Sequence, residues 1–180
     1  MKQILIVLAL LISVITLQAQ NDDFQNVDRK NEVKLNALYL VLGAFEGTYE
    51  HLLNEESGIG VSLFLPIDAD VNDDVNYYIS PYYRFYFGSK FASGFFLEGF
   101  GMLNSVNDRA YYYNDGLDPT IEEKNVTDFA LGIGLGGKWV TKRGLIGELN
   151  LGIGRNLFSS SEYDDNEFVG KLGITVGYRF

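Results

Sequence analysis

The chain has 180 residues, 47% of them hydrophobic, with 24 acidic against 14 basic side chains and a net charge of −10. So acidic a protein does not suit a nucleic acid as partner, and the absence of cysteine excludes disulfides, thiolate metal sites and a cysteine-linked lipid anchor. Twenty glycines, 12 tyrosines and 13 phenylalanines against three prolines suit one all-β domain, because aromatics favour strands and glycine relieves tight curvature.

Residues 1–20 carry one positive charge, Lys2, then an apolar run from Ile4 to Leu17 and the small residue Ala19, the pattern of a secretory signal peptide. The apolar run falls short of the roughly twenty residues that a membrane-spanning helix needs. Residues 21–31 are polar and read as a loose periplasmic leader, which leaves 32–180 for the folded domain.

Side-chain alternation with a period of two predicts eight strands, at 32–42, 45–52, 58–66, 76–87, 94–105, 126–140, 145–157 and 168–180. Each is near the length of a tilted strand crossing a bilayer. The connections at 54–57, 88–93 and 141–144 are short, whereas 67–75, 106–125 and 158–167 are long, polar and acidic. Transmembrane barrels have short periplasmic turns and longer outer loops, so both termini are expected inside and the long loops outside the cell. Only the first connection, around Gly43, is short where a long one is expected. The fold expected is an all-β, eight-stranded antiparallel up-and-down barrel in a bacterial outer membrane.

The face assigned to lipid carries Val33, Leu35, Ala37, Tyr39 and Val41 on the first strand, Phe45 and Tyr49 on the second, and Ile59, Val61, Leu63 and Leu65 on the third. The later strands continue the pattern, with Leu131, Ile133, Leu135 and Trp139 on the sixth and Leu145, Leu149, Leu151 and Ile153 on the seventh. No Lys, Arg, Asp or Glu falls there, as lipid demands: a basic residue at the midplane costs roughly 2–4 kcal/mol. The opposite face holds Lys34, Glu46, Glu50, Arg84, Glu98, Asp128, Lys138, Glu148, Lys171 and Arg179. Interleaved acids and bases recover much of the cost of burying charge, so these ten are expected to form an interior ion-pair network. Eight strands leave a lumen wide enough only for side chains. Strand five is ambiguous, since Phe96, Phe100 and Met102 point inward beside Glu98, and a bulge there would switch its faces.

The signal peptide, the eight-strand pattern and the ending ITVGYRF resemble small outer-membrane barrel proteins of the OmpA transmembrane-domain and OmpX-like type. The opening NEVKLNALYLVLGAFEGTYEHLL is similar to a set of uncharacterised outer-membrane barrels with a short first loop. The resemblance implies that Val176, Tyr178 and Phe180 form a signal read by the barrel-assembly machinery. It brings no catalytic motif and no cofactor.

Four motifs invite a chemical reading. Gly132 to Lys138 reads GIGLGGK and formally fits both a dinucleotide loop and part of a P-loop, but these need a strand, a loop and a helix. Here the glycines alternate with Ile133 and Leu135 inside a strand, and Trp139 stands where a P-loop requires Ser or Thr. His51 is the single histidine; barrel-type lipid deacylases place theirs at the outer rim beside a serine, whereas His51 falls at the periplasmic end of strand two. Asp68, Asp70, Asp73 and Asp74 echo half a calcium loop, without the glycine and the chelating glutamate that complete it, and are weak candidates for divalent cations. Tyr111, Tyr112 and Tyr113 suit a binding platform, an aromatic girdle or a strand running beyond the membrane. The reading that results is a monomeric, non-enzymatic barrel in contact with outer-membrane lipid, with acidic loops open to cations or an extracellular partner. The alternatives are a lipid-modifying enzyme and a narrow pore.

Overall fold

The computed structural model describes residues 29–68, 75–112, 120–158 and 167–180, with backbone alone for 107–112 and 120–124. Eight strands, β1 (Asn31–Asn36), β2 (Ala44–Leu52), β3 (Ser57–Pro66), β4 (Val75–Tyr86), β5 (Gly94–Tyr112), β6 (Thr120–Val140), β7 (Leu145–Asn156) and β8 (Phe168–Arg179), follow one another around the wall. β8 pairs with β1, so the barrel is closed and every pairing is antiparallel. Closure removes the sheet edges that hydrocarbon would not tolerate.

Because successive side chains leave opposite faces of a strand, each strand sorts its residues in two. On β4, Tyr78, Ser80, Tyr82, Arg84 and Tyr86 are buried in the lumen while Ile79, Tyr83 and Phe85 face outward. On β6 and β7 the outward residues Leu131, Ile133, Leu135, Leu151 and Ile153 are about half exposed or more. The outer surface is apolar and the inner one is ionic, which inverts a soluble protein and makes this a membrane-spanning barrel of the outer-membrane kind. The connections between β2 and β3, β4 and β5, and β6 and β7 gather at one end, and those between β1 and β2, β3 and β4, β5 and β6, and β7 and β8 at the other.

Three expectations need correction. The first strand does not run to residue 42: it stops at Asn36, and a short helix α1 (Ala37–Val41) follows, capped by the Asn36 side chain. Tyr39 therefore leaves the lipid face, where alternation would put it, and packs edge-on against Phe64 in the interior. Asparagine is a strong N-cap because its side-chain oxygen accepts orphan amide hydrogens, a local signal that strand alternation obscures. The long connection expected at 106–125 is instead largely strand, with β5 and β6 paired out to Tyr112↔Thr120. Asn31, assigned to the leader, belongs to β1, and Lys30 accepts from the Leu52 amide at 2.7 Å.

Strand five keeps its register across the membrane. Phe96, Phe100 and Met102 are buried, while Phe95, Leu97 and Leu103 face outward. The irregularity between β4 and β5 lies at Val75–Tyr77, near the outer rim, and leaves the faces unswitched. The predicted signal peptide, most of the leader, and Asp70, Asp73, Asp74 and Tyr113 lie outside the described residues.

Candidate functional site

The chemistry of this chain is concentrated in its lumen, and Glu50 on β2 stands at the middle of it. One carboxylate oxygen accepts from Lys34, from the Tyr82 hydroxyl at 3.0 Å and from Arg84 at 3.2 Å. The other accepts from the Tyr86 hydroxyl and from Lys138 at 3.2 Å. Glu148, reaching across from β7, takes Lys34 at 3.0 Å and Arg84 at 2.9 Å. Glu98 joins Arg84 at 2.7 Å to Lys171 at 2.6 Å. All these side chains are buried, so the pairs are short, charge-assisted and shielded from salt.

Toward the periplasm the network ends in a plug. Arg179 binds Glu32 through Nε at 2.8 Å and Nη2 at 2.6 Å, and donates to the carbonyls of Phe91 and Ala92 at 2.9 and 2.8 Å. The β4–β5 turn is thereby drawn into the barrel mouth, where Ala92 packs with Leu52, Tyr86 and Phe96. Aromatic faces cover the cations as well: Arg84 lies 4.4 Å from the Tyr82 centroid and 4.2 Å from that of Phe96, and Lys138 lies 4.2 Å from Tyr86. Such contacts stabilise a desolvated cation by about 2 kcal/mol.

Toward the outer face the filling changes. Ala44, Phe64, Tyr78, Phe100, Met102 and Ala130 form an apolar cluster, joined by Tyr39 from α1. Phe64 stacks on Tyr78 at 4.8 Å and 8°. Glycines on β6 make room for rings: a Cβ at Gly132 would meet Phe100 Cζ at 2.2 Å, and one at Gly136 would meet Phe96 Cζ at 2.5 Å. The GIGLGGK segment is thus a strand whose bare positions accommodate side chains of β5, with no helix following it.

The ten predicted interior charges are all buried, but they divide. Lys34, Glu50, Arg84, Glu98, Lys138, Glu148, Lys171 and Arg179 lie in ion pairs. Glu46 and Asp128 make none among the described residues: Glu46 accepts from Asn36 at 2.6 Å, and Asp128 accepts from the backbone amides of Phe129 at 2.6 Å and Phe158 at 3.0 Å. Glu32, outside those ten, also belongs to the network: it stands two residues before Lys34 on the same face and pairs with Lys138 at 2.8 Å. Val176, Tyr178 and Phe180 all point outward. His51 sits at the periplasmic rim, its Nδ1 2.9 Å from Asn31 Oδ1, which also accepts from Tyr49 at 2.8 Å. Asp68 donates its backbone N–H to the Gly43 carbonyl at 2.8 Å. Among the described residues no group of three or more His, Asp or Glu could hold a metal ion.

Residues 4–175 match a family described as "Protein of unknown function (DUF3575)". The chain belongs to that family. Among solved structures this family member is similar to the N-terminal β-barrel domain of Pseudomonas aeruginosa OprF, with 13% identity and a TM-score of 0.51 over 84% of this chain and 98% of that one. It is also similar to the Yersinia pestis outer membrane protein Ail, solved in a phospholipid nanodisc, with 15% identity and a TM-score of 0.40 over 84% and 99% of the two chains. The likeness to OprF is one of fold. A search of curated proteins finds no match.

Proposed function

We propose that this protein is a monomeric, non-enzymatic component of the outer membrane: a closed wall cross-linked through its interior by ion pairs, with the acidic outer loops as its contact surface. The single observation that supports this most is the meeting of Lys34, Glu50, Arg84 and Glu148, from β1, β2, β4 and β7, across the lumen. Side chains from opposite walls meet across the axis at that level. His51 is engaged with Asn31 at the periplasmic rim, an arrangement that favours an interfacial role over a hydrolytic one. Val176, Tyr178 and Phe180, presented outward at the end of β8, serve as the segment recognised by the barrel-assembly machinery. Asp68, with Asp70, Asp73 and Asp74, offers weak attraction to divalent cations.

Planar-bilayer recording of the reconstituted full chain tests this reading. The expected trace is flat at physiological salt. Stepwise, voltage-independent conductance would sink the sealed-lumen reading and favour a narrow pore. Hydrolysis of a phospholipid or lipopolysaccharide acyl ester by the wild type, lost on His51→Ala, would favour the enzyme instead.

A further inference from the structure

The wall is not equally closed all the way round. Between β2 and β8 it is a strand only as far as Asn36; beyond that point β2 continues to Ala44 and β8 to Phe168 with no strand between them. Two strand spacings leave roughly 10 Å there, which is about the diameter of an α-helix with its side chains. α1 fills this place, lying against both β2 and β8. A helix satisfies its own backbone and so can stand in a wall that faces hydrocarbon. Leu40, Val41 and Leu42 are exposed at this point, as are Phe45 and Leu172 on the flanking strands.

Asn36 secures the start of the helix, and Tyr39 packs on Phe64 further along it. The Asn36 amide imitates the peptide that a longer β1 would have supplied: Nδ2 donates to the Leu172 carbonyl at 3.1 Å and Oδ1 accepts from the Ile174 amide at 3.4 Å. The same oxygen caps α1 through the Leu38 and Tyr39 amides at 3.1 and 3.4 Å. A five-residue helix has little stability of its own, so its place in the wall depends on these contacts.

Behind the helix lies Glu46, buried and held by Asn36 at 2.6 Å, with no ion pair among the described residues. Lys171 is engaged with Glu98 at 2.6 Å. The rings of Tyr39, Phe64 and Tyr78 follow one another beside it, and the buried Tyr78 hydroxyl lies near both Glu46 and Tyr39 without a well-aligned hydrogen bond among the described residues. A carboxylate flanked by aromatic rings is a chemistry that recognises an organic ammonium, and a door that opens onto lipid limits the source to amphiphiles. We propose that α1 is a lateral hatch through which the ammonium headgroup of an outer-leaflet amphiphile reaches Glu46, with Tyr39, Phe64 and Tyr78 closing around it.

Solution NMR of the full chain in maltoside micelles, titrated with hexyltrimethylammonium, tests the proposal. Saturable shifts are expected at the amides of α1 and of residues 44–46, and none with hexyl sulfate. Tetramethylammonium, which lacks a tail, is expected to bind at least roughly tenfold more weakly, since each buried methylene adds to membrane-side affinity. Glu46→Gln keeps an acceptor for Asn36 and is expected to weaken binding of the hexyl cation at least roughly tenfold, with Glu46→Asp restoring part of it. Equal response to the anionic amphiphile, equal binding of tetramethylammonium, shifts confined to the outer loops, or unchanged affinity in a folded Glu46→Gln variant would each overturn the hatch. The comparison of amphiphiles on the wild type decides the matter even if a variant fails to fold.

Discussion

The periplasmic and outer halves of the lumen occupy the same barrel but are filled by opposite chemistry. In the inner half four glutamates (32, 50, 98 and 148) meet four bases (Lys34, Arg84, Lys138 and Arg179), Lys171 reaches Glu98 from beside Phe100, and tyrosine hydroxyls and turn carbonyls take up remaining donors and acceptors. In the outer half Phe64, Tyr78, Phe100 and Met102 fill the space by shape, with Tyr39 added from α1. The difference teaches where tolerance lies. A buried charge is stable only with its partners in place, so the ionic half stands or falls as a set, whereas an apolar cluster can be repacked at constant volume.

The largest expected effect therefore comes from a change that preserves shape and removes charge. Glu50→Gln leaves Lys34, Arg84 and Lys138 with a neutral amide where a carboxylate accepted from all three. The expected cost is about 3–5 kcal/mol, read as a shift in the urea midpoint of unfolding by gel mobility of the reconstituted barrel. A loss under about 1 kcal/mol would mean that the ionic half is not held by its pairs, and the contrast between the halves would fail.

Much of the wall was legible in the sequence because membrane burial makes alternation strict. From β2 onward the strands begin within one residue of their expected positions except β6, whose polar outer portion reads as loop, and β5, ambiguous in the sequence, keeps Glu98 inward beside its three apolar neighbours. Alternation misled where a local cap overrode it: Asn36 starts a helix while Val33, Leu35, Ala37, Tyr39 and Val41 still read as strand. Which charges pair was less legible than which charges are inside, because pairing depends on height along the axis and on strand tilt. Lys171 is near Glu46 but is taken by Glu98 at 2.6 Å, so Glu46 is met by Asn36, and Asp128 toward the outer end is met by backbone amides. The periplasmic plug had no sequence signal, since it rests on Arg179 reaching carbonyls of a turn nearly ninety residues away.

A smaller effect should come from Gly136→Ala in the inner half. The new Cβ would meet the Leu149 backbone oxygen at 2.3 Å and Phe96 Cζ at 2.5 Å. A ladder carbonyl cannot step aside without disturbing β7, so overpacking should cost about 1–3 kcal/mol in the same unfolding measurement. Gly147 faces outward, and a Cβ there meets nothing within 4 Å. Gly147→Ala should change stability by no more than about 0.5 kcal/mol. Equal effects at the two sites would mean that the lumen is looser than its contacts indicate.

The smallest effect within the lumen is expected from Phe64→Leu in the outer half. Leucine keeps an apolar side chain against Met102 and Ala130 but gives up the stack on Tyr78 and the edge contact with Tyr39. Lost aromatic geometry is worth about 0.5–1.5 kcal/mol, and repacking should keep the total below roughly 1.5 kcal/mol. Since Tyr39 is anchored on that ring, the loss should be local: amide exchange should quicken across 38–42 while residues 96–100 and 148–152 stay protected. A penalty as large as that of Glu50→Gln, with exchange quickening in both halves, would mean that rings and ion pairs form one cooperative unit and that chemistry does not divide the lumen.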